Sequence, residues 1–118
     1  MTKVFGPKGL DRRRAPRIPV PPGGPLSVVG ARLVNASPYG MMIHSPVPMD
    51  RNAILPLRLV LADDKIDVQT RVAACWRTWI GQKKVYGIGL EFTVLPDPVR
   101  ERLRDTLATL GDPTPRPA

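Results

Sequence analysis

The sequence predicts a mainly β domain of short antiparallel strands, curled into a small barrel and followed by one amphipathic helix. Three observations carry this. Fifteen of the 118 residues are proline, which stiffens connections and interrupts long helices. Turn signals recur roughly every ten residues between apolar runs, the spacing of a sandwich or barrel. Near the C-terminus, Val99, Leu103, Leu107 and Leu110 fall on one helical stripe. A chain of this length supports a single core. With two Phe, two Tyr and two Trp, that core must rest on Val, Leu, Ile, Ala and Met.

Residues 1–25, rich in proline and glycine and without periodicity, read as a flexible basic arm. Residues 26–34 read as a first strand, entering a turn at 35–40. Met41-Met42-Ile43-His44 is a short second strand, and residues 54–61 are a third, with Pro56 marking an edge or bulge. Asp63-Asp64 turns the chain into residues 66–76, where Ile66, Val68, Thr70 and Val72 alternate with Asp67, Gln69 and Arg71. That pattern belongs to a half-buried antiparallel strand. Gly81-Gln82-Lys83 closes a hairpin and residues 85–92 return. Asp97 is placed to N-cap the helix, with Pro98 at its first position and Gly111 at its end. Residues 26–110 thus form the folded body, and 111–118 a disordered tail.

The formal charge of +8 calls for an anionic partner or surface. Much of it lies in residues 1–17, where Lys3, Lys8, Arg12, Arg13, Arg14 and Arg17 face only Asp11. Electrostatics alone fits nucleotide, RNA, DNA or acidic lipid equally. The single cysteine, Cys75, excludes an internal disulfide and a cysteine metal cluster; in its apolar stretch it reads as a packed thiol. No apolar run is long enough to span a bilayer and the start lacks the apolar segment of a signal peptide, so a cytoplasmic protein is expected. The one histidine, His44, reads as a surface or half-buried residue. With no nucleophile elbow, phosphate loop or ligand-spaced cluster, the chain is read as a non-enzyme.

Two stretches carry the functional signal. Arg13-Arg14-Ala15-Pro16-Arg17 spaces two arginines four apart ahead of an extended Ile18-Pro19-Val20 step. Asn35-Ala36-Ser37-Pro38-Tyr39-Gly40 is an Asn-x-Ser-x-x-Gly turn after a β-rich run. In this order they resemble the signature of the PilZ domain family, and Tyr86-Gly87-Ile88-Gly89-Leu90-Glu91-Phe92 resembles the Gly-Ile/Val-x-Phe ending of its barrels. The resemblance spans residues 11–110. It implies a six-stranded antiparallel β-barrel with a helix at one mouth, and a receptor for the second messenger cyclic di-GMP, a ligand rather than a cofactor, signalling to a downstream protein.

The residue types suit that ligand. An arginine fork bonds bidentately to phosphate or to a guanine O6/N7 edge, and its flat face stacks on a base. Asn35 can accept from guanine N–H groups and the Ser37 hydroxyl can donate or accept. Gly40 permits a left-handed backbone or leaves room for ligand. The family often has Asp where this chain has Asn35, which removes a charge-assisted contact and predicts weaker binding. Arg12 and Arg14 flank the motif pair; family similarity gives the Arg12 position influence over how many ligands bind, with Arg12 tolerating a stacked pair. Trp76 reads either as a base-stacking residue or as a core Trp at the end of an amphipathic strand. Tyr39 reads either as stacking near the ligand or, as favoured here, as cover for the barrel mouth, and Trp79 as an exposed contact for a partner.

Two other functions compete. One is a PilZ-like interaction module acting in motility or pilus assembly without nucleotide; the presence of both motif halves opposes it. The other is a basic small barrel binding RNA or DNA, which would interleave more surface aromatics with its cations.

Overall fold

The computed structural model describes residues 16–111; Arg12, Arg13 and Arg14 lie outside them. Seven strands form one antiparallel sheet: β1 (Ile18–Pro19), β2 (Leu26–Val28), β3 (Arg32–Ser37), β4 (Gly40–Ser45), β5 (Ile54–Leu61), β6 (Asp64–Ile80) and β7 (Lys83–Val94), followed by helix α1 (Asp97–Gly111). Their order is β1-β3-β4-β7-β6-β5-β2. The sheet curls until β2 lies beside β3, and α1 packs across β1, β3 and β5 at one end. The family fold is as expected, with one strand more than six.

The extra strand comes from the stretch read as an arm. Ile18 and Pro19 pair with Ala36 and Asn35, and Val20 donates its N–H to the Val34 carbonyl at 2.9 Å. The buried Val20 side chain joins the core, and Ile18 packs against Gly111 at the helix end. A two-residue strand carries no periodicity from which to read it. A second difference is the break in the run 26–34. Gly30, at φ 83°, turns the chain between β2 and β3, bringing Val28 and Ala31 into a bridge; the left-handed backbone there suits glycine.

The core gathers Leu26, Val28, Leu33, Met41, Ile43, Leu59, Leu61, Val68, Val72, Ile88 and Leu90 from the concave face of the sheet. Leu103 and Leu107 close it from α1 and are buried, while Val99 and Leu110 flank them half-buried. The Pro96 carbonyl accepts from Arg100 N–H at 3.0 Å, so Pro96 occupies the N-cap. Asp97 then sits in the first turn, where its charge opposes the positive end of the helix dipole. Pro56 pairs with Gln69 on one side only, because β2 reaches β5 no further than Leu59; the proline occupies an effective edge.

Candidate functional site

Two bulges decide which side chains face outward. Strand residues alternate between faces, so with Leu33 packed inward, Asn35 would also point inward. The register instead shifts between Leu33 and Asn35, which pair with Ile43 and Met42. The inserted residue turns Asn35 to the convex face and returns Ala36 to the core. The same happens on β6. Val72 faces the core opposite Leu90, the register shifts before Ala74, and Ala74 opposes Gly89 while Trp76 opposes Gly87. The bulge directs Trp76 outward, 41% exposed, which overturns its reading as a core tryptophan.

The convex face therefore carries three adjoining rows, read from the pairings across β3, β4, β7 and β6. One runs Asn35, Met42, Gly89, Ala74; a second runs Ser37, Gly40, Glu91, Arg71; a third runs Arg32, His44, Gly87, Trp76. Gly87, Gly89 and Ala74 make a patch of minimal side chains across the adjoining strands β7 and β6. The indole of Trp76 lies across Gly87, where a Cβ would overlap ring atoms Cε2, Cζ2 and Nε1. Gly87→Ala is accordingly expected to unseat the indole. Stability should fall by about 1–3 kcal/mol and tryptophan emission should shift to the red in the folded protein.

At the near edge Arg17 of the first motif meets Asn35 of the second. Arg17, just before β1, donates from Nη1 to Asn35 Oδ1 at 3.3 Å, because Pro19 pairs opposite Asn35. Ser37 Oγ accepts the Tyr39 N–H at 3.1 Å, which closes the turn and leaves the hydroxyl proton to be donated elsewhere. Helix α1 fixes the same turn. Arg100 Nη1 donates to the Pro38 carbonyl, and its guanidinium carbon lies 5.1 Å from the Tyr39 ring centroid. Tyr39 also accepts Phe92 N–H at its carbonyl, at 3.0 Å. It braces the turn.

Gly40 departs from both reasons offered for it. Its φ is not among the positive ones, and the space a Cβ would need is filled by the Leu90 carbonyl oxygen. The glycine lets β4 and β7 approach; it does not make room for a ligand.

Three residues on this face were not assigned to the ligand site by sequence. Arg71 forms an ion pair with Glu91 and donates from Nη1 to Asn52 Oδ1 at 3.3 Å, closing the second row. His44 is half-buried beside Gly87, and its Nδ1 is buried without a hydrogen-bond partner. Met42 lies between Asn35 and Gly89. Alternation on the strand read at 66–76 marked Arg71 as outward, but nothing in the spacing of the three joined them to the motifs. Among the described residues no cluster of His, Cys, Asp or Glu could hold a metal ion, and no helix is long and apolar enough to cross a membrane.

Comparison with known proteins agrees with this fold. No curated protein matches the chain. The complex of K. pneumonia MrkH with c-di-GMP is similar in structure, with a TM-score of 0.71 at 19% identity, over 84% of this chain and 52% of that one. MrkH in its apo state gives 0.65 at 21% identity, with the same coverage; the chain spans about half the length of MrkH. The PilZ domain of YcgR from Escherichia coli, with c-di-GMP, gives 0.64 at 15% identity, over 84% of this chain and 91% of that one. The PilZ domain family model matches residues 11–108, a span that takes in both motifs and every strand and most of the helix described above, and the chain belongs to that family.

Proposed function

We propose that the chain is a receptor for cyclic di-GMP, bound on the convex face between Arg17, Asn35 and Trp76. The observation that carries this is the Arg17–Asn35 hydrogen bond. It sets an arginine fork and an amide side by side on the face that also carries the small residues Gly89 and Ala74 and the Trp76 indole. Guanine supplies what these groups seek: O6 and N7 acceptors for arginine, N–H donors for Asn35 Oδ1, and a π-face for the Trp76 indole. Arg13, and Arg12 and Arg14 beside it, would add phosphate contacts from the arm, and Ser37 a further hydroxyl. Ligand would draw the arm over the face, at an ordering cost of about 1–2 kcal/mol per residue fixed, which charge-assisted contacts must exceed. The reordered arm is then the signal presented to a downstream protein. Catalysis has no part in this reading, and a cytoplasmic address accompanies it.

Calorimetric titration with cyclic di-GMP, alongside GTP, cyclic di-AMP and single-stranded RNA, tests it. Saturable binding that prefers cyclic di-GMP is expected; adenine presents N6–H₂ where guanine presents O6, so an arginine donor would face a donor. Equal heats from both cyclic dinucleotides would contradict guanine reading. In the same assay Asn35→Asp should bind as tightly or more tightly, since a carboxylate accepts more strongly and holds Arg17 in place. Asn35→Ala should bind more weakly. A tenfold loss in the Asp variant would show that Asn35 donates rather than accepts.

A further inference from the structure

The β6–β7 hairpin outruns the sheet on both sides. β5 leaves β6 at Arg71, where Ile54 is its last partner, and β4 leaves β7 at Tyr86, opposite Ser45. From Arg77 to the turn at Gly81–Gln82 and back to Val85, the two strands pair only with each other. At about 3.3 Å per residue the ribbon extends roughly 10 Å past the last β4 pairing.

The tip of this ribbon is unusual in composition. Trp79 is 62% exposed and Ile80 50% exposed, and Arg77, Lys83 and Lys84 surround them. No Asp or Glu occurs between Val68 and Leu90, so the positive charge is not offset along the hairpin. Cross-strand pairing sets the arrangement: Trp79 opposes Lys84 and Ile80 opposes Lys83, and successive pairs point to opposite faces. Each face of the tip therefore presents one apolar side chain and one lysine. A side-on interface with protein would want one apolar face and one polar face. A single-strand binder would want a platform of several aromatics. Here polarity is shared around the ribbon, and the apolar groups are concentrated at its end.

We infer that the hairpin tip docks end-on into the interfacial layer of an anionic lipid bilayer. Trp79 and Ile80 enter the headgroup–acyl boundary, where an amphipathic indole is favoured. The lysines and Arg77 remain at the level of the anionic headgroups on their long stems. Insertion stays shallow, because the outward N–H and C=O groups of the unpaired ribbon edges must keep water or headgroup partners. The docking does not depend on cyclic di-GMP, although Trp76, on the same strand, connects the tip to the proposed ligand face.

The test is binding of the full chain to vesicles of phosphatidylcholine with about one quarter phosphatidylglycerol, compared with phosphatidylcholine alone. Residues 1–17 are also basic, so the readout must be local: quenching of tryptophan emission by lipids brominated near the headgroup. Anionic vesicles should bind and quench, and Trp79→Phe should remove most of the quenching. Lys83→Gln with Lys84→Gln should weaken binding roughly 25-fold, about fivefold per cation. Trp79→Ser with Ile80→Ser should weaken it roughly tenfold or more, with an unchanged unfolding midpoint. Vesicle binding without quenching would assign the attraction to the arm and overturn the inference. So would absence of binding, or tip variants that lose affinity for single-stranded DNA while keeping it for vesicles. Cyclic di-GMP titration of the same variants should be unaltered, so failure here leaves the receptor reading standing.

Discussion

Arg17→Ala is expected to weaken cyclic di-GMP binding ten- to hundredfold while leaving the fold intact. The size follows from losing a charge-assisted contact, about 1.5–3 kcal/mol. The small effect on folding follows from position. Arg17 precedes a two-residue edge strand, and its contact with Asn35 is worth only about 0.5–1.5 kcal/mol to stability. Arg13→Ala should lose affinity by a similar factor. Isothermal titration together with thermal unfolding checks both. Unchanged affinity in the two variants would show that the arginines do not hold the ligand, whatever else binds it.

Gly40→Ala should have the opposite profile, damaging the fold first. Its Cβ would be driven into the Leu90 carbonyl oxygen of β7, which is main chain and cannot rotate away. Separating β4 from β7 breaks pairing in the centre of the sheet, between Met41 and Leu90, both wholly buried. Overpacking costs about 1–3 kcal/mol when side chains can adjust, and here the cost should reach the upper end or exceed it. For a domain of this size each kcal/mol lowers the melting midpoint by roughly 4–8 °C, so a fall of more than ten degrees is expected by calorimetry. A midpoint within a degree or two of the parent would mean that β4 and β7 are further apart than described. The two variants divide the signature by role: Arg17 and Asn35 are the pair proposed to meet the ligand, whereas Gly40 is a packing requirement between strands.

How far these roles were legible in the sequence depends on what leaves a periodic trace. Val68, Thr70 and Val72 alternate with polar neighbours, and the structure buries all three. The helix stripe centred on Leu103 and Leu107 was equally plain. The bulges were not legible. Ala73-Ala74 and Leu33-Val34 carry no residue that demands an extra step in the register, yet those steps aim Asn35 and Trp76 at the same surface. Continued alternation from Val72 would have buried Trp76, which is why a core reading competed with a ligand reading. Strand β1 was hidden for a different reason. Its pairing is dictated by the hydrophobic contacts of Ile18 and Val20 with the helix end and core, which exist only once the sheet has curled. Arg71 and His44 joined the face through cross-strand neighbours distant in sequence, and a single chain does not announce such neighbours.

The most direct measurement of the central claim is nitrogen–proton correlation NMR of the full chain titrated with cyclic di-GMP. Shifts are expected to concentrate in the Asn35 side-chain amide, the Ser37, Gly40, Gly87 and Gly89 backbone amides, the Arg17 guanidinium and the Trp76 indole N–H. The Trp79 indole at the hairpin tip and the amides of β5 should stay in place. Shifts gathered instead along β2 and β5, with the Asn35 and Trp76 side chains unmoved, would contradict it.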